Sequence, residues 1–338
     1  MENLDSPNKP SRMSRRFLWI LVSGAVLLLS ACDSNIHMTF LDPQGPVADV
    51  QRWHFYEVLG IMAVLVAGPI FLLLPIFAWR YRYGNERPKY TPKWEYSRFL
   101  EIMSWSGPIA IVLVLSFFVW RDTARLDPYR PLASDQTPLR VQVIGYDWKW
   151  LFIYPDQGIA SIGTLAIPEG RAVSMKITSA TVMQSLFIPA LGSQIYAMGG
   201  MVSQLNLRAD KAGTSLGENT MYNGDGFHQQ KFKAQAMVPD DFEAWVINAR
   251  THGLPLDADT LKLVSQRGSR QELIAALPGA RSMGGSLYFQ IAGDGLFDAV
   301  VTATMQGSVT LPPEAFAAAG ATIPKAGKTT GPAPEGRQ

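Results

Sequence analysis

The chain has 338 residues, 47% of them hydrophobic, and its 30 basic and 28 acidic side chains leave a net charge of +2. That composition supports a sizeable core or membrane spans, and with no basic patch interleaved with aromatics it excludes nucleic acid as a partner. The single cysteine, Cys32, excludes an intramolecular disulfide, a cysteine-based zinc site and any cluster that needs paired thiolates.

Residues 1–31 read as an export signal. Lys9, Arg12, Arg15 and Arg16 supply its basic region, and Phe17 to Leu29 its apolar run. That run is too short to cross a hydrocarbon core of about 30 Å. Leu29-Ser30-Ala31-Cys32 resembles the lipobox of bacterial lipoproteins, which implies that Cys32 carries palmitate-type lipid and begins a periplasmic segment over 32–53. By the same resemblance, Asp33 favours retention in the inner membrane. A free buried cysteine is the alternative.

A transmembrane hairpin is predicted over 54–121, with helices at about 55–80 and 100–120. Val58 to Trp79 is almost wholly apolar, and Pro69 and Pro75 predict kinks in it. Ile102 to Trp120 is the second run. The connecting 80–98 loop carries Arg80, Arg82, Arg87, Lys89, Lys93 and Arg98 against Glu86 and Glu95. The positive-inside rule makes that loop cytoplasmic and everything after residue 121 periplasmic. Nine Trp and sixteen Phe suit a chain with membrane interfaces. Glu101 stands at the cytoplasmic mouth of the second helix. One reading is a carboxylate favoured by the helix dipole; the other is a proton-entrance group. Glu57, at the opposite boundary, reads as interfacial.

From Leu139 the pattern changes to short alternating runs at 139–144, 148–154, 172–177, 203–207 and 231–237, separated by Gly, Pro, Asp and Asn. These predict an antiparallel β-sandwich over 139–250. Phe242–Val246 begins a helical pattern, and 258–277 reads as one or two helices capped by Asp257 or Ser265. Gly285–Met305 reads as an aromatic arm packed on a partner, so 251–311 forms C-terminal helices and an arm. From 312 to 338 the composition predicts a disordered tail.

Two spans followed by a sandwich that opens with Gly145-Tyr146-Asp147-Trp148-Lys149-Trp150 resemble subunit II of the heme–copper terminal oxidases. The likeness runs from Leu29 to about Met305 and implies a cupredoxin-like sandwich. It includes Leu41-Asp42-Pro43-Gln44-Gly45-Pro46 and the Glu101, Trp105, Pro108 group. In cytochrome c oxidases of this family the domain holds a dinuclear copper centre bridged by two thiolates. Here the resemblance sets Gln184, Asn219, Asn223, Phe227 and Gln230 near the ligand positions, and Cys32 is the only cysteine. A dinuclear copper centre is therefore excluded.

Ligand loss of this kind resembles the quinol oxidase branch of the family. Phe187-Ile188-Pro189 through Gly192-Ser193-Gln194-Ile195-Tyr196-Ala197-Met198, and Gly224-Asp225-Gly226-Phe227 running into Lys231-Phe232-Lys233-Ala234, carry the likeness. The resemblance implies a complex that oxidises ubiquinol, reduces O2 to water and pumps protons, with heme b, heme o and copper in subunit I and no cofactor or catalytic centre in this chain. It implies subunits I, III and IV and membrane lipid as partners, no cytochrome c, and Glu101 as the entrance of a proton channel. A second function class is a free-standing membrane-anchored lipoprotein binding copper or another ligand. For it, Met183, Met198, Met201, Met221 and Met237 lie near His228 in sequence. Methionine as core filler is the plainer account of them.

Overall fold

The computed structural model describes residues 36–85, 92–277, 284–311 and 313–319. The export signal and the lipobox cysteine Cys32 lie outside the described residues. After a two-residue strand β1 (Ile36–His37), helix α1 (Pro46–Arg80) is 35 residues long and α2 (Arg98–Thr123) is 26. Both apolar windows are uncovered by the rest of the chain, as spans that meet lipid or another subunit must be.

Helix α1 starts well before the expected residue 55. Gly45 caps it in an extended conformation and Pro46 occupies its first turn, where a missing N–H costs nothing. At 1.5 Å per residue its 35 residues reach roughly 52 Å, far more than a bilayer core needs. The surplus turns dock on the sandwich. Val47 and Ala48 are buried, and Gly192 lies so close that a Cβ there would sit 2.6 Å from Val47 Cγ1. Gln44 N–H donates to Ala190 O at 2.7 Å, and Asp210 N–H donates to Gln44 O at 2.8 Å. The kink expected at Pro69 takes the form of a π turn over Ala63–Ala67, with Gly68 N–H reaching back to Ala63 O.

The sandwich has two sheets. One runs in the order β5 (Thr164–Pro168), β11 (Lys231–Met237), β10 (Gly213–Asn219), β7 (Gln184–Ile188), β8 (Gly192–Ala197). The other runs β12 (Leu254–Pro255), β13 (Leu287–Gln290), β4 (Ile159–Ile162), β3 (Lys149–Tyr154), β2 (Leu139–Tyr146), β6 (Ala172–Ser179), β9 (Ser203–Arg208). The expectation of an antiparallel sandwich is corrected: β2 with β6, β5 with β11 and β12 with β13 pair in parallel. Parallel neighbours need crossovers, and β2 reaches β6 only after the chain has passed through β3, β4 and β5. The fold is a cupredoxin-like sandwich of mixed sheets.

Strand β3 is buried at every position. Trp150, Phe152 and Tyr154 face the space between the sheets, while Leu151 and Ile153 face a second core outside them. That outer core is built by the C-terminal region: α3 (Pro239–His252) leads into α4 (Ala258–Ser265), α5 (Arg270–Ala276), β13, α6 (Leu296–Met305) and α7 (Pro313–Ala318). Asp257 caps α4 and Ser269, in a capping box with Glu272, caps α5; Ser265 ends α4 instead of starting a helix.

Two further expectations are corrected here. The Gly285–Met305 segment is no arm on a partner: Phe289 and Phe297 are fully buried within this chain, and β13 extends its own sheet beside β4. The tail expected from residue 312 begins with the helix α7, whose Phe316 is 2% exposed in the same outer core. One phenylalanine among alanines suffices because a groove already exists for it.

Candidate functional site

The β2–β3 hairpin positions the centre of the site. Tyr146 pairs with Lys149, so Asp147 and Trp148 form a two-residue turn, and Trp148 adopts φ 69°. Such turns need positive φ, which a tryptophan adopts only under constraint. The constraint is visible: the indole lies against Gly226, where no Cβ would fit, and Arg267 sits 4.8 Å over its ring. The Lys149 ammonium donates to the carbonyls of Gln266 at 2.7 Å and Gly268 at 2.9 Å, fixing the segment that carries Arg267. Burial pushes the Lys149 pKa down to about 8, against the pull of Asp147 and Glu272.

Under this turn four amide side chains meet. Gln184 opens β7, Asn219 ends β10, and Asn223 and Gln230 lie on the glycine-rich loop before β11. Gln230 Nε2 donates to Gln184 Oε1 and, at 3.3 Å, to Tyr146 O. Gln230 Oε1 accepts from Asn219 Nδ2 at 3.0 Å and Asn223 Nδ2 at 2.8 Å. Gln184 Nε2 donates to Tyr146 O, Ser179 Oγ and Thr181 Oγ1 at 3.2–3.3 Å. Asn219 Oδ1 takes the backbone N–H groups of Ser185 and Met221 at 2.9 and 3.0 Å. Gln184, Gln230 and Asn219 are 0%, 1% and 4% exposed. Gly145 leaves the room this requires, because a Cβ on it would stand 2.7 Å from Gln184 Oε1.

Of the five residues singled out in these loops, the structure therefore joins Gln184, Asn219, Asn223 and Gln230 in one network. It leaves out Phe227, which a 3-10 turn over Phe227–Gln229 directs onto Tyr222 at 5.8 Å between ring centres. Of the methionines, Met183 and Met201 are exposed and Met237 packs on the inter-sheet core; His228 is exposed.

Glu101 lies in the first turn of α2, where its carboxylate Oε1 accepts from Trp105 Nε1 at 3.1 Å.

A second cluster, which the sequence reading missed, ties the far ends of the spans. His54 Nδ1 lies 2.6 Å from Asp122 Oδ2, and Arg121 donates to Asp122 at 2.8 Å and to Glu57 Oε2 at 2.5 Å. His54, Glu57 and Asp122 each bring a donor atom within 4.8 Å of the others, a set that suits a divalent ion. Arg121, however, already neutralises both carboxylates. The signal was available: Glu57 near the start of one span faces Arg121 at the end of the next, as an antiparallel hairpin demands. Asp122→Ala, which strips Arg121 and His54 of their buried partner, is expected to cost about 2 kcal/mol. A drop of a few degrees in the melting midpoint of the detergent-solubilised protein checks this.

No family model matches the chain. It is 42% identical to the cytochrome bo(3) ubiquinol oxidase subunit 2 of Pseudomonas putida over 242 residues, 72% of this chain and 76% of that protein. It is 41% identical over 239 residues to the ubiquinol oxidase subunit 2 of Acetobacter aceti, 70% of this chain and 76% of the relative. The quinol oxidase subunit 2 of Bacillus spizizenii is 36% identical over 237 residues, 70% of this chain and 73% of its own. Among solved structures, the periplasmic domain of subunit II of cytochrome oxidase from Bradyrhizobium japonicum covers 36% of this chain and 98% of its own, at 21% identity and a TM-score of 0.34. With relatives this similar over more than two thirds of their own length, the chain belongs to the subunit 2 family of the ubiquinol oxidases.

Proposed function

We propose that this chain serves a membrane complex that oxidises ubiquinol, reduces O2 to water and pumps protons, and that it does so without a dinuclear copper centre. The observation that carries the reading is the network of amide side chains. A dinuclear copper site needs thiolates and imidazoles. Amide nitrogens offer no lone pair to a metal, and the amide oxygens of Gln184, Asn219 and Gln230 are already taken as acceptors. The residues present do not fit the copper pair.

Electrons from ubiquinol arrive within the lipid, so no soluble cytochrome c has to dock and no surface metal has to receive them. The sandwich then acts as a cover on the periplasmic face of subunit I, with subunits III and IV completing the complex. Hemes b and o and the oxygen-reducing copper belong to subunit I. Cys32 carries the lipid anchor, the 80–98 loop is cytoplasmic, and the chain crosses the inner membrane twice.

Glu101 opens a proton path into subunit I from the cytoplasmic side. Its position in the first turn of α2, directly before the apolar run, supports this, since ionisable groups at the ends of spans serve proton pathways. Glu101→Ala in the intact oxidase is expected to slow steady-state turnover and proton uptake on the order of tenfold while assembly persists. Unchanged turnover would leave Glu101 only its interaction with the helix dipole. For the copper statement, metal analysis of this subunit after separation from subunit I is expected to find less than stoichiometric copper, and one or two atoms per chain would refute it.

A further inference from the structure

We propose that Trp105 is the positioning residue that holds the Glu101 carboxylate on the face of α2 that carries Ser104 and Pro108. This rests on the proton-entrance reading of Glu101 and adds to it a means of holding the group in place. Bonds from Cα to Cβ lean towards the N-terminus of a helix, here towards Arg98 and the charged 80–98 loop. Charged side chains near the end of a span also reach outward for water. Left to itself, the Glu101 carboxylate extends towards that loop.

In the structure a neighbour on its own helix holds it instead. Oε1 lies 3.1 Å from the indole N–H of Trp105, one turn further into the helix. The backbone N–H of Glu101 is already bonded to Ser97 O at 2.9 Å, so the residue's own amide does not hold the carboxylate. An indole nitrogen is a donor only, which suits it to hold a carboxylate without exchanging a proton with it.

The face of α2 that carries the carboxylate is unusual for a span. Ser104, Trp105 and Pro108 stand three, four and seven positions after Glu101 and share its side of the helix. Pro108 has no N–H, so the carbonyl of Ser104 lacks its helical donor. The Ser104 hydroxyl donates to Glu101 O at 2.9 Å. The Ser104 carbonyl and hydroxyl are polar groups within one turn of Glu101, on the same face. Trp105 keeps the carboxylate beside them.

The test uses the intact oxidase in lipid vesicles with Trp105→Phe, Glu101→Gln and the double variant, at matched heme content. Trp105→Phe keeps an aromatic ring at the membrane boundary and removes the donor. Turnover is expected to fall about two- to tenfold, the range one net hydrogen bond controls, with KM for ubiquinol unchanged. In the Glu101→Gln background the same substitution is expected to add nothing. If Glu101→Gln slows the enzyme and Trp105→Phe does not, the positioning role is overturned and the proton entrance stands. An equal loss from Trp105→Phe in both backgrounds also overturns it, because the tryptophan then acts only through packing. A Glu101→Gln enzyme at wild-type turnover removes the proton entrance itself, and the proposal with it. Should Trp105→Phe fail to assemble, Trp105→Leu carries the same comparison.

Discussion

Replacing Gln230 with alanine is expected to cost about 3–5 kcal/mol of stability, well above the usual effect of removing one polar side chain. Its amide makes four bonds at once, to Gln184, the Tyr146 carbonyl, Asn219 and Asn223. Each partner is buried or half-buried. Truncation leaves several polar groups unpaired in a space too enclosed for bulk water to repair them, and it opens a void. The check is thermal or urea unfolding of the detergent-solubilised protein. Gln184→Met should couple to it, so that the double variant loses less than the two singles added together. Copper supplies a second discrimination. A ligand that binds the folded state raises its midpoint. The wild-type midpoint is therefore expected to stay put when copper is added, and a rise of several degrees would show that the amides make way for a metal.

How much of this site was legible depended on which interaction defined it. Gln184, Asn219, Asn223 and Gln230 could be picked out because the family resemblance sets these amides near the positions where a copper centre asks for thiolate and imidazole. That these amides satisfy one another was not legible. Their convergence on the Tyr146 carbonyl depends on the two-residue turn at Asp147-Trp148 and on the bare backbone of Gly145, neither of which marks its sequence as a network. The clasp of His54, Glu57, Arg121 and Asp122 was missed because each residue was read against its own helix. Its bonds join residues 64 and 68 positions apart.

The spans were legible from hydropathy alone, since lipid imposes a long apolar run that little else needs. Strands that bury a single face, such as 231–237, were legible from alternation. Ile159–Ile162 and Thr164–Pro168 were not, because they are buried at every position and carry no alternation to read. The parallel pairing of β2 with β6 also leaves no local trace. The start of α1 at Pro46 was obscured because its first turns obey the sandwich, through Val47 and Ala48, and not the membrane.

The C-terminal region carries the largest difference between reading and structure, and Phe297→Ala tests it. If residues 285–305 were an arm packed on another subunit, trimming one ring would leave this chain's own stability nearly unchanged and weaken the complex. The structure says otherwise. Phe297 is 0% exposed and shares a core with Ile144, Leu151, Ile153 and Phe289 on the outer face of β2, β3 and β13. Removing a fully buried phenyl ring costs about 3–5 kcal/mol, the transfer of the ring plus the cavity left behind. The cavity cannot readily collapse, because β3 is held from its other face by Trp150, Phe152 and Tyr154. The expected result is a drop of that size in the separated subunit as well as in the assembled oxidase. A loss seen only after assembly would return the segment to its role as an arm. Because the same outer core backs the β2–β3 hairpin, the variant should also loosen the turn at Trp148. Faster amide exchange at Gln184 and Gln230 than in the wild type would report that the amide network and the C-terminal helices are parts of one folding unit.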